Sequence, residues 1–462
     1  MNPSDNGDRA YAKRLGSRIF SEANDLKRTP DALARELGWN IADVQRVING
    51  EADIEMSKAL LLQMTEAYPV ALSSLWLDPD DTDEGVVIMS SAATAASGRV
   101  FERKDRNGEL SPYYEYRDTA MSRLAPYRPE WILELRHVGD SDPENPDVAF
   151  NHGHLMHQLT FFIGEVNFYW ISNGKRYCRE MNTGDSALIT PFVPHSFTSR
   201  NPDEEKRGLI VAVTYGGAVR QAAASLSYLD VEQMGSAAGD MRDEGLTFKA
   251  RIERYRNNES LSVSGLANRL EDAGITAERA AGLAAAGLLP NAEELSVLGA
   301  ALAVKPGDLW FVPMAEDNEV AITHLAGSER RPFPDTNAPF CELSELARTP
   351  HQPGQRGFNV VMLGGAANTD GPGFQHQLHE YLYNYGDQDI ELFWGDGRSA
   401  SIGPGDSAYI RPMVEHWLQG PAGACLAMSR IAGELVDEVF DEFATFATDG
   451  RSRALAETKR WF

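Results

Sequence analysis

The sequence predicts an α+β fold, mainly β: a tandem repeat in which a small helix-turn-helix bundle precedes an antiparallel β barrel. Two observations carry this. First, apolar residues at helical spacing, broken by Gly or Asn turns, fill the stretch from Pro30 to Pro79 and again from Ser264 to Pro313, with Leu33-Ala34 recurring as Leu266-Ala267 and Leu75-Trp76 as Leu309-Trp310. Second, after each helical stretch the pattern changes to aromatic and β-branched residues alternating with polar ones, and these segments also match across the halves. GDSALITPFVPHSF from Gly184 recurs as GDSAYIRPMVEHWL from Gly405, and HLMHQLTFFIG from His154 as HQLHEYLYNYG from His376. The spacing is nearly constant within each kind of segment, which points to duplication.

The expected order is a helical domain over 1–84, a catalytic β domain over 85–235, a second helical domain over 236–315, and a second, non-catalytic β domain with a C-terminal helix over 316–462. A chain of 462 residues with 42% hydrophobic and 24% charged residues is long enough for several sizeable cores. The N-terminus is polar and lacks the apolar region of a signal peptide, and no apolar run is long enough to span a bilayer. Cys178, Cys341 and Cys425 are far apart with no CxxC pairing, so they read as small buried residues in a reducing compartment; the expected location is cytoplasmic.

The net charge of −25 argues against a nucleic-acid partner, which requires a basic face. The first helical stretch is itself acidic: Arg35 and Arg46 stand against Glu36, Asp43, Glu51, Asp53 and Glu55. A recognition helix presents cations to phosphates. A regulator with a helix-turn-helix and a ligand-sensing barrel is therefore the alternative of another class, and a sugar isomerase of the same barrel type is a second. No G-x-G-x-x-G after a strand and no P-loop is present, so no nucleotide cofactor is expected.

The chemistry concentrates in the first β segment. His152, His154 and Gln158 share one face of an alternating strand, whereas His157 points to the other and reads as structural. A later strand brings His195, after Gly184-Asp185, Pro191 and Pro194. A lone barrel histidine is usually a satisfied core residue. Two imidazoles and one oxygen donor converging across a barrel instead suit an octahedral metal with three open positions, as in Fe(II) oxygenases. These two motifs resemble those of the cupin family of jelly-roll barrels, with the departure that Gln158 stands where cupins carry Glu. The second barrel holds His376, Glu380 and His416 at the equivalent positions, on paper the fuller ligand set.

The whole chain resembles the phosphonate-processing non-haem iron dioxygenases, the family of hydroxyethylphosphonate dioxygenase and methylphosphonate synthase. The resemblance rests on NDLKRTPDALARELG, SPYYEYRDTA, NHGHLMHQLTFFIG and GDSALITPFVPHSF. It implies Fe(II) in the first barrel on His154, Gln158 and His195, which are at once metal ligands and catalytic residues. It implies phosphonate contacts from Lys27, Tyr116, Asn151 and a basic residue before the PYYEY strand. Arg106 is the choice for the last, with Arg103 and Lys104 close in register. The second barrel lacks this set, with Gly373 where Asn151 stands, so His376, Glu380 and His416 are expected to be degenerate. Substrates implied are 2-hydroxyethylphosphonate and O2, without 2-oxoglutarate, in a homo-oligomer (dimer or tetramer). Where the dioxygenase takes its third ligand from a Glu six residues before the second His, this chain has Ile189. Cleavage of the C1–C2 bond is therefore expected to give methylphosphonate and CO2 or bicarbonate. The alternative is hydroxymethylphosphonate and formate.

Overall fold

The computed structural model describes residues 3–314, 319–334, 338–365 and 371–461. It is a mixed helical and sheet structure dominated by sheets, and it divides into two compact units.

One unit gathers Met1–Asp83, Ser122–Leu124 and Glu434–Phe462. Its core joins Leu15 and Ile19 of the helix Pro3–Asp25 to Leu33 and Leu37 of Pro30–Leu37, Val44 and Val47 of Ile41–Ile48, and Leu60, Leu61 and Met64 of Ile54–Ala67. Two of these helices have only 8 residues, too short to persist alone in water, so burial and caps hold them. Asn40 accepts from the Ala42 N–H at 2.9 Å and Asp53 from the Met56 N–H at 2.7 Å, each satisfying an orphan donor of a first turn. Gly16 permits the long helix to lie on Ile41–Ile48, because a Cβ there would sit 2.1 Å from the Val47 carbonyl oxygen.

The other unit spans Glu84–Met121 and Ala125–Gly433. It contains the second helical bundle, Glu244–Asn258, Val263–Asp272, Ala277–Ala284 and Ala292–Leu302, where Leu266, Ala267 and Leu309 are buried like their counterparts Leu33, Ala34 and Leu75. It also contains two β sandwiches, each a seven-stranded antiparallel sheet facing a three-stranded one. The first runs, in sheet order, Val320–Thr323, Ser186–Ile189, His157–Ile163, Leu209–Tyr215, Tyr127–Glu134, Leu110–Asp118 and Arg99–Lys104, against Lys175–Met181, Val166–Ser172 and His195–Ser199. The second runs Val86–Met89, Ser407–Ile410, His379–Tyr383, Cys425–Ile431, Gln355–Met362, Cys341–Glu345 and Arg330–Phe333, against Arg398–Ile402, Ile390–Trp394 and His416–Gln419. Each large sheet thus takes an edge strand from the other repeat: Val320–Thr323 pairs with Ser186–Ile189, and Val86–Met89 with Ser407–Ile410.

Strand alternation sorts the side chains. Along His157–Ile163, Phe162 faces the core of the first sandwich with Tyr114, Ile132, Phe168 and Phe197. Leu159 and Phe161 face the opposite way, into a core shared with Tyr381, Tyr383, Tyr409 and Ile431 of the second sandwich. Polar bonds pin that shared layer: Trp131 Nε1 donates to Tyr383 Oη at 2.9 Å, and Tyr127 Oη to the Glu380 carbonyl at 2.8 Å. All three cysteines are free thiols, and burial pushes Cys178 and Cys341 up to about 12, which keeps both inert. No helix among the described residues is long and apolar enough to cross a membrane.

Candidate metal centre

His154, Gln158 and His195 meet inside the first sandwich. His154 Nε2 lies 3.3 Å from Gln158 Oε1, and the rings of His154 and His195 are 5.4 Å apart, edge to face. Gln158 is 3% exposed and His195 5%. One local expectation is corrected: His154 does not stand on the strand, which begins at His157. A turn sets it instead. Gly153 takes φ +69°, and a Cβ there would lie 2.4 Å from the Phe192 backbone, so only glycine lets the two segments touch. The Phe192 N–H then donates to the His154 carbonyl at 2.9 Å. His157 turns away, stacked on Tyr215 at 5.3 Å, and His152 is exposed.

Hydrogen bonds fix which atoms face inward. His154 Nδ1 is 3.0 Å from the Met156 carbonyl and His195 Nδ1 is 2.8 Å from the Val193 carbonyl. Each Nδ1 therefore carries the proton and donates it, which leaves each Nε2 a lone pair. Gln158 Nε2 donates to Thr160 Oγ1 at 2.9 Å, which turns Oε1 toward His154. Two acceptors, His154 Nε2 and Gln158 Oε1, thus face one another at 3.3 Å. Such a pair is repulsive unless a cation lies at the cluster, and two imidazole nitrogens with an amide oxygen suit Fe(II). Burial pushes His195 down to about 4, so the ring is neutral and ready to ligate at physiological pH. Ile189, 1% exposed, is the direct cross-strand partner of Gln158 and walls the site with hydrocarbon where a carboxylate could have stood.

Asn151 ties the cluster together. Its Oδ1 accepts from the Gly153 and His195 N–H groups, both at 2.9 Å, and its Nδ2 donates to His195 Nε2 at 3.0 Å, so an amide donor already stands at the ligand cluster. Tyr116 lies on the inward side of Leu110–Asp118 between Phe101 and Tyr114, at 4.9 and 5.8 Å. Burial, reinforced by the Glu130 and Glu134 carboxyls, pushes its phenol up, so it is a neutral donor.

Arg106 is exposed and bound to Asp147, its Nε 2.8 and 2.9 Å from the two carboxylate oxygens. Arg103 is the cation whose charge is felt at both His195 and Tyr116, and it makes no ion pair among the described residues. Lys27 belongs to the helical unit, exposed, with a left-handed backbone at φ +60° just past the helix Pro3–Asp25.

Three participants were not foreseen. Thr160 orients Gln158, and no spacing rule marks it. Glu130 lies on the strand Tyr127–Glu134, and burial raises its carboxyl to about 7. Glu134 is fully buried with neither oxygen partnered among the described residues, and burial holds its carboxyl well above the ordinary range. In the second sandwich, His376 and His416 converge on Glu380, whose Oε2 also lies 2.5 Å from Arg430 Nε. Among the described residues no three His, Cys, Asp or Glu side chains are arranged to hold a metal ion.

The whole chain is similar to known proteins. It is 35% identical to methylphosphonate synthase of Nitrosopumilus maritimus (strain SCM1) over 463 residues, 98% of this chain and 96% of that one. The solved structure of Streptomyces albus HEPD, with substrate 2-hydroxyethylphosphonate and Fe(II) bound, superposes with a TM-score of 0.85 at 34% identity, covering 98% of this chain and 99% of that one. PhpD with cadmium, complexed with hydroethylphosphonate, shares the fold at a TM-score of 0.71 and 20% identity, over 96% of this chain and 98% of that one. No protein-family model matches the chain.

Proposed function

The chain belongs to the family of methylphosphonate synthase and hydroxyethylphosphonate dioxygenase, and on that premise we propose that it is a non-haem Fe(II) oxygenase that cleaves the C1–C2 bond of 2-hydroxyethylphosphonate with O2, giving methylphosphonate and CO2. Atoms balance with one O2 consumed and one water formed per substrate, and the substrate supplies all the electrons, so no external reductant is needed. The regulator alternative gives way to this family membership. Both sandwiches are read as cupin jelly rolls.

The observation that carries the product assignment is the oriented amide of Gln158 with Ile189 across from it. This cluster has a neutral oxygen ligand and no carboxylate at the neighbouring strand position. His154, Gln158 and His195 would hold the iron. Fe(II) bound there supplies a redox centre for O2 and coordination sites for a chelating substrate. The remaining work falls to the protein. Asn151 Nδ2 and the neutral Tyr116 hydroxyl donate to the phosphonate, and Arg103, rather than Arg106, supplies its counter-charge. Ile189, Val193 and Phe197 keep the reacting end dry and hold the substrate in a single orientation.

Phosphorus NMR tests the reading, on protein loaded anaerobically with Fe(II) and then given 2-hydroxyethylphosphonate and air. A methylphosphonate resonance is expected. Hydroxymethylphosphonate would assign the dioxygenase reaction instead, and unchanged substrate beside bound iron would overturn the substrate assignment.

A further inference from the structure

The two sandwiches place corresponding residues in the same register, and one coupled difference separates their ligand clusters. In the first, Gln158 pairs across the sheet with Thr214; in the second, Glu380 pairs with Arg430. Glu380 is fully buried, with Oε1 2.8 Å from His416 Nε2 and Oε2 2.9 Å from His376 Nε2. Arg430 Nε donates to Oε2 at 2.5 Å, and its guanidinium sits 5.3 and 5.0 Å from the rings of Phe358 and Phe374. This is the two-histidine, one-carboxylate set of an oxygen-activating metal site, with the positive charge delivered by a side chain. A divalent ion beside that guanidinium would set like charges together in a dry interior, where repulsion is largest. Thr214 brings no charge; its hydroxyl donates to the Arg128 carbonyl at 3.0 Å and leaves the first cluster open.

We propose that Arg430 is a built-in counter-cation that closes a divalent-metal site formed by His376, Glu380 and His416, and that giving the second sandwich the threonine of the first opens this site to Fe(II) or Co(II). The inference concerns metal occupancy alone and is independent of which phosphonate is turned over.

The test counts metal in the full chain after anaerobic loading with Co(II) and desalting, with Co(II) visible absorption as a second readout. The wild type is expected to hold one equivalent, and His154→Ala/His195→Ala none. Arg430→Thr is expected to hold two and to gain thermal stability on Co(II) addition, and Glu380→Ala in that background to lose the added equivalent. Arg430→Lys, which keeps a cation, is expected to stay at one. A folded Arg430→Thr protein that stays at one equivalent overturns the proposal. So does a His154→Ala/His195→Ala protein that keeps an equivalent removable by His416→Ala, and this arm decides the matter if Arg430→Thr does not fold. A wild-type count of zero with Arg430→Thr rising to one would fault the first site and leave this inference standing.

Discussion

The first sandwich sets a neutral amide across from a threonine where the second sets a carboxylate across from an arginine, on otherwise matching frames. Both bring two imidazoles to the same place, and both back the ligand strand with the shared apolar layer that includes Leu159, Phe161, Tyr381 and Tyr383. On the proposals above, ligand inventory does not decide which site is open. The second cluster has the better metal ligand, yet its charge is already matched. In the first, lone pairs on His154 Nε2 and Gln158 Oε1 face each other, and the matching charge must come from outside.

The largest effect that would break this comparison is on iron. His195→Ala is expected to empty the site and lower turnover by well over the roughly 100-fold that marks loss of a supporting contact. His416→Ala is expected to leave iron content and turnover per folded protein unchanged. Iron analysis of both variants checks this, and iron loss in His416→Ala would contradict the division of roles. Next in size is stability. Glu380→Ala removes one partner of a buried ionic cluster and is expected to cost about 3–5 kcal/mol. Gln158→Ala, which loses a neutral hydrogen bond to Thr160, is expected to cost about 1–3 kcal/mol. Chemical denaturation of the metal-free proteins measures both, and equal costs would erase the contrast.

Arginine substitutions sharpen the first site further. Arg103→Ala is expected to raise KM for the phosphonate about 10- to 100-fold, the worth of a charge-assisted contact. Arg106→Ala, an exposed pair with Asp147, is expected to change it less than about threefold. Steady-state kinetics on the two variants decide between them.

The smallest effect concerns Glu130, whose folded pKa is raised by burial to about 7. The folded state holds a proton that the unfolded chain releases near 4.5, so the wild type loses stability as pH rises from about 4.5 to 7. Glu130→Gln removes that cost. Its advantage is expected to grow across this window to about 1–3 kcal/mol and level off above pH 7, with partial exposure setting the low end. Denaturation of wild type and variant at pH 5 and pH 8 reads it.

Much of this was legible in the sequence. The duplication showed in residue pairs such as Leu33-Ala34 and Leu266-Ala267, because helical and strand periods survive divergence better than identity does. His154, Gln158 and His195 were picked by motif and do lie together, though alternation on a strand was the wrong reason for His154, which Gly153 positions by a left-handed turn. Arg103 and Arg106 could not be separated by counting, because a register shift between Phe101 and Glu102 breaks the period-two rule, and Arg106 lies beyond the strand end at Lys104. The exchanged edge strands Val86–Met89 and Val320–Thr323 have only 4 residues each, too few to show a pattern. Arg430 meets Glu380 only through sheet pairing between distant strands, so no local motif announces it.

The first sandwich alone is expected to hold the working metal. Iron content and phosphorus NMR measured on the same sample test it most directly, in the wild type and in His154→Ala/His195→Ala with the second sandwich intact. One iron per chain and methylphosphonate are expected from the wild type, and neither from the variant. Bound iron with product formation surviving in the variant would contradict it.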